Sequence, residues 1–175
     1  MITVLSPAKT LDYSVNYTDK HTVPSFLPKS SQLVKTLKAK EPSEIASLMG
    51  LSDKLASLNF DRYQSWNASK KLSNTAKPAL LVFKGDVYQG LQAEDFNKQD
   101  MTFAQKHLRI LSGLYGALKP LDVMKPYRLE MGTKLQINGS KNLYEFWGDT
   151  VRDSVLRDSN TLINLASNEY YKVLG

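Results

Sequence analysis

Three short stretches combine cations, carboxylates and hydroxyls with the backbone punctuation of a binding turn. Ser6-Pro7-Ala8-Lys9-Thr10 sets two hydroxyls and a lysine behind an apolar run, where they could face a phosphate or a carboxylate. Lys84-Gly85-Asp86-Val87-Tyr88 offers a cation, a carboxylate and a phenol directly after the run PALLVF, and Gly85 permits a sharp change of direction there. Lys125-Pro126-Tyr127-Arg128-Leu129-Glu130-Met131-Gly132 places Arg128 two residues before Glu130, so an extended backbone puts both on one face. Each stretch also has a plainer reading. The first is then a simple turn, the second a helix start with Asp86 at the N-cap, and the third a surface salt bridge. Read as chemistry, Lys9, Lys84 and Arg128 suit anionic phosphates, while Lys84, Asp86, Tyr88, Arg128 and Glu130 offer acid–base groups for a pocket.

Other chemistries lack their residues. No G-x-G-x-x-G, P-loop, nucleophile-elbow serine or His-x-x-x-His pair occurs, which removes the main support for common nucleotide, hydrolase and zinc sites. The chain has no cysteine, so disulfides, thiolate metal ligands and a cysteine nucleophile are excluded. His21 and His107 stand far apart with no carboxylates at metal-ligand spacing. No metal site and no cofactor are expected, and no catalytic residue set is assigned.

The elements that must position these residues follow from pattern. MITVL reads as a buried strand that Pro7 prevents from continuing. Residues 14–28 read as a surface loop, and KSSQLVKTLKAK carries Leu33, Val34 and Leu37 at helical spacing. Ser43 to Leu58 reads as a helix, a tight hairpin and a second helix: Ser43 caps the first, Gly50 stops it, and Ser52 caps the second. PALLVF at 78–83 reads as a strand, FNKQDMTFAQKHL as a helix, RILSG as a short strand and residues 114–132 as a loop-rich passage. KNLYEFWGDTVRDSVLRD reads as one longer helix, and TLINLA at 161–166 as a final strand. Residues 2–5, 79–83 and 161–165 are therefore predicted to share one central sheet. Strands alternating with helices argue for an α/β fold with a mixed, partly parallel central sheet flanked by helices.

With 175 residues, one domain with a single core is expected. The hydrophobic share of 42% is that of a chain that folds rather than a disordered one. No apolar run approaches bilayer length, and the N-terminus lacks an export pattern, so a cytoplasmic location without membrane contact is expected. The 23 Lys and Arg outnumber the 17 Asp and Glu, giving +6, a balance that favours polyanionic partners.

The segments SPAKTLDY, LMGLSDKLA, FKGDVYQGLQAEDF, HLRILSGLYGALKPLDVMKPYRLEMG, LYEFWGD and INLASNEYY closely resemble, in order, segments of the bacterial YaaA family of peroxide stress proteins. The resemblance covers nearly the whole chain. It implies an α/β fold with a positively charged cleft, binding of double-stranded DNA, and an element similar to helix-hairpin-helix. It also implies a role in hydrogen peroxide stress, limiting unincorporated iron and so oxidative damage to DNA. Family members continue past the position of Gly175, so residues 1–175 are expected to form the N-terminal part of a longer single-domain protein.

The hairpin around Gly50 is the segment matched to helix-hairpin-helix, with Gly50, Ser52 and Lys54 facing DNA phosphates and Lys9, Lys84 and Arg128 lining the cleft. Ser52 stands where such hairpins carry a second glycine. Double-stranded DNA is the expected partner. The alternative is an enzyme acting on a nucleotide or damaged base, with Lys84, Asp86, Tyr88, Arg128 and Glu130 as potential acid–base groups and a small-molecule ligand in a candidate pocket of Ser6, Asp86, Tyr88 and Glu130.

Overall fold

The computed structural model describes residues 1–175. Strand β1, Ile2–Leu5, buries Ile2, Val4 and Leu5, as a strand covered on both faces must. After Pro7 the chain forms the two-residue strand β2, Thr10–Leu11, and then runs irregularly to helix α1, Leu27–Lys38, which buries Leu33, Val34 and Leu37. Helix α2, Pro42–Met49, starts with Glu41 as its cap. The Glu41 and Glu44 side chains bond reciprocally to each other's backbone N–H, with Pro42 inside the first turn. Ser43, expected to be this cap, lies inside the helix instead. Gly50 ends α2 at φ 60°, a left-handed position that a side chain resists, and α3, Asp53–Ser65, begins after Ser52.

The next segment overturns one expectation. Lys77–Pro78 form strand β3, Ala79–Val82 one turn of helix α4, and Phe83–Lys84 strand β4, so residues 79–83 are not a strand of the central sheet. Every residue from Ala79 to Phe83 is buried. An apolar run buried on all sides has no periodicity to separate a strand from a helical turn. The turn is anchored by Ala79 and Leu80 N–H donating to the carbonyls of Asp122 and Pro120. β4 pairs antiparallel with β2, aligning Lys84 with Thr10.

Helix α5, Asp86–Leu91, follows with Gly85 as its cap, so Asp86 sits in the first turn rather than at the cap. A 3-10 turn leads to α6, Lys98–His107, capped by Asn97. Strand β5, Leu108–Ser112, turns into β6, Gly116–Leu118, and β7, Val123–Met124, pairs antiparallel with β3. The passage expected to be loop-rich thus contains two short strands. The single helix expected at 141–158 is two, α7, Leu143–Trp147, and α8, Thr150–Asp158. The break is at Gly148, whose φ of 47° a continuous helix cannot hold. Strand β8, Leu162–Leu165, and the short α9, Asn168–Tyr171, complete the chain.

The main sheet has the order β6-β5-β1-β8. β1 lies between β5 and β8 and is parallel to both, with Val4 opposite Arg109 and Asn164; only β6 runs antiparallel. Residues 2–5 and 161–165 therefore share a sheet as expected, and helices flank it. Arg109 of β5 is buried and reaches Asp158 at the end of α8 at 2.5 Å, a hydrogen bond that holds the Asp158 carboxyl below its ordinary value. The core is continuous, and Tyr63, Phe83, Tyr115 and Trp147 are its largest fully buried side chains. No helix is long and apolar enough to cross a membrane.

Candidate functional site

The ends of β1 and β8 lie side by side, and a pair of serines ties them together. The Ser167 N–H donates to Ser6 Oγ at 2.9 Å, and Ser6 Oγ–H points to Ser167 Oγ at 3.3 Å. Tyr88 of α5 donates its phenol to the Ser6 carbonyl at 2.7 Å. Burial pushes the Tyr88 pKa well up, so this phenol keeps its proton and acts as a strut. From here Pro7 and Ala8 carry the chain outward to Lys9.

The segment 127–132 approaches from the other side. Tyr127 and Ser112, at the end of β5, share a 2.6 Å hydrogen bond in the interior, and the Tyr63 hydroxyl of α3 donates to the Arg128 carbonyl. Gly113 permits this approach, because a Cβ there would run into the Leu129 carbonyl oxygen. Glu130 Oε1 then receives both Lys9 Nζ and Arg128 Nη2, each at 3.2 Å. The Gly132 N–H donates to Glu169 Oε1 at 2.8 Å. These groups enclose a small cavity of about 70 Å3, lined among others by Pro7, Lys9, Tyr127, Arg128, Glu130 and Tyr170. Arg128 Nε is buried and has no hydrogen-bond partner.

The expected site residues divide accordingly. Lys9, Arg128 and Glu130 come together at the strand ends, whereas Ser6 does not line the cavity: its hydroxyl bonds Ser167 and its carbonyl accepts from Tyr88. Lys84 bonds Glu94 at 2.7 Å and does not line this cavity, because its strand aligns it with Thr10 rather than with Lys9. Asp86 is exposed in the first turn of α5. Gly50, Ser52 and Lys54 lie apart, at the junction of α2 and α3, all three exposed. The Ser52 side chain makes no cap hydrogen bond, which leaves the first-turn N–H groups of α3 directed outward. About ten residues of helix separate this tip from Tyr63, so some 15 Å of α3 lies between it and the Arg128 contact.

Sequence reasoning missed Ser167, Glu169, Tyr170 and Tyr63. The first three carried a usable signal, since SNEYY directly follows the last predicted strand, where ligand-facing residues of α/β sheets collect. Arg62, one residue before Tyr63, adds a second guanidinium near Arg128. Burial lowers its pKa, the phenols of Tyr13 and Tyr63 oppose that change, and Arg128 adds to it.

Comparison with known proteins bears on the whole chain. The family model described as "Peroxide stress protein YaaA" matches residues 1–175. The chain belongs to the YaaA peroxide stress family. A relative described as "UPF0246 protein" from Hahella chejuensis (strain KCTC 2396) is 54% identical over 181 residues, an alignment spanning all of this chain and 70% of the relative. YaaA membership supports a general stress-related role.

Proposed function

We propose that the chain protects DNA during peroxide stress by binding the backbone of duplex DNA without reading its sequence. The observation that carries this reading is the tip of the α2–α3 hairpin. There Gly50 is left-handed, Ser52 leaves the first-turn N–H groups of α3 without a side-chain acceptor, and Lys54 stands exposed beside them. Outward N–H groups at the positive end of a helix suit a phosphate oxygen, and such contacts fix a protein on DNA without specifying bases. Asp53 opposes an anion at the same tip, so the contact falls to the N–H groups and Lys54. The net charge of +6 adds long-range attraction.

The test is duplex affinity as a function of salt on two unrelated sequences. The reading expects similar affinities and a steep loss as salt rises. Affinity that ignores salt, or that depends strongly on sequence, overturns it.

In this proposal the restraint on unincorporated iron is indirect, because a chain without cysteine and with two histidines is poorly supplied with soft transition-metal ligands. Stoichiometric, chelator-resistant iron in protein purified without an affinity tag would contradict that part.

A second reading, an enzyme acting on a nucleotide or damaged base, draws on the meeting of Lys9, Arg128 and Glu130 at the strand ends. The cavity there is too small to enclose a base, so the base would lie outside it.

A further inference from the structure

We infer that the strand-end cavity binds a small oxyanion of the phosphate-monoester class. Arg128 is its principal cation, Lys9 a movable second cation, and Glu130 an internal anion that the ligand displaces. This inference is independent of duplex binding through the hairpin.

Four observations carry it. The first is Arg128 itself. One Nη meets Glu130 at 3.2 Å while the buried Nε–H has no acceptor. Buried polar groups are paired in the great majority of cases, so an unpaired guanidinium N–H on a residue that lines a cavity calls for an acceptor that a small shift of the side chain would bring within reach. A guanidinium also presents its N–H groups as a fork, which phosphate oxygens fit.

The second is the way Glu130 is used. A single oxygen, Oε1, serves both cations at 3.2 Å, longer than the usual 2.7–2.9 Å of charge-assisted bonds. Lys9 is 68% exposed, so its ammonium can follow an incoming ligand. Two cations on one carboxylate oxygen are matched better by a dianion than by Glu130.

The third is position. From β1 the chain travels to β5 on one side and later to β8 on the other, so the reversal of strand order falls at β1. Crevices outside the carboxyl ends of parallel strands at such a reversal are where open α/β sheets hold ligands.

The fourth is size and limits. About 70 Å3 accommodates a few waters or one phosphate group. Glu169, tied to the Gly132 N–H, also lines the cavity and repels a second anionic group, which favours a monoester over a diphosphate.

Two sources supply this chemistry, free inorganic phosphate and the terminal phosphate of a nucleotide. The experiment is calorimetric titration of the whole chain at low salt with inorganic phosphate, a nucleoside 5′-monophosphate and the unphosphorylated nucleoside. Saturable binding of the two phosphates but not of the nucleoside is expected. Tighter binding of the monophosphate than of inorganic phosphate identifies a nucleotide end as the natural ligand, and equal affinity identifies the free oxyanion. Arg128→Gln should weaken binding on the order of tenfold, the scale of one lost charge-assisted contact. Glu130→Gln, which removes the competing anion, should tighten it several-fold, and Lys9→Ala should weaken it modestly. Because Lys9 is exposed and Glu130 partly so, these two variants keep the test decisive even if Arg128→Gln fails to fold. No saturable phosphate binding by the wild-type chain and Glu130→Gln, or weaker binding by folded Glu130→Gln, overturns the inference.

Discussion

The hairpin tip and the strand-end cluster both set cations beside unpaired N–H donors, yet they are built in opposite ways. The tip is local: Gly50, Ser52 and Lys54 lie within five residues and are all exposed. The cluster is assembled from distant parts of the chain. Ser6 meets Ser167, Lys9 meets Glu130, and Tyr63 of α3 holds the Arg128 carbonyl. The difference teaches where each is vulnerable. A local tip can lose a contact and leave the fold intact, whereas the cluster shares its supports with the core.

The largest effect that follows is at Gly113, where a Cβ would run into the Leu129 carbonyl. Gly113→Ala should lower stability by about 3 kcal/mol, the upper range for overpacking a rigid site. Denaturant unfolding checks this, and an unchanged midpoint would show that segment 127–132 yields easily. The same variant, if folded, should lose phosphate binding before duplex binding.

A smaller effect is expected at Tyr63, whose hydroxyl joins α3 to the Arg128 carbonyl. Burial pushes the Tyr63 pKa up, so the phenol is a donor throughout the neutral range. Tyr63→Phe should cost about 1 kcal/mol, as for one buried hydrogen bond. It should also loosen the coupling between hairpin and cluster, visible as faster amide exchange at Arg128 and Leu129 with the α3 tip unaffected. Faster exchange confined to the tip would place the support elsewhere.

The same contrast between local and distant contacts decides how much of the molecule is legible in the sequence. The two helices around Gly50 were legible because their signals are local, a proline near one end and a helix-stopping glycine at the other; the caps were not, since Glu41 rather than Ser43 caps α2 and the Ser52 side chain makes no cap hydrogen bond to α3. β1 and β8 were legible because short β-rich runs ended by punctuation are strands in most settings. Residues 79–83 were not, because a run buried on every side gives no period to read. Within the cluster, Arg128 and Glu130 were visible as an extended pair, and Lys9 and Ser6 as a strand-end turn. Their meeting was not visible, since no local pattern encodes a partner more than a hundred residues away. Lys84 shows the converse: expected just beyond a strand, it lies inside the two-residue strand β4, whose pairing with β2 leaves it bonded to Glu94.

The smallest expected effect is also the most direct test of the hairpin as a phosphate contact. Lys54 is exposed and makes no ion pair, so Lys54→Ala should leave stability within about 0.5 kcal/mol of wild type, as for surface substitutions generally. Duplex affinity measured across a salt series, with two unrelated sequences, should fall equally for both. The slope of log affinity against log salt should shrink by about one, the signature of one lost phosphate contact. An unchanged affinity and slope in the folded variant would contradict the account and leave the hairpin as packing structure alone.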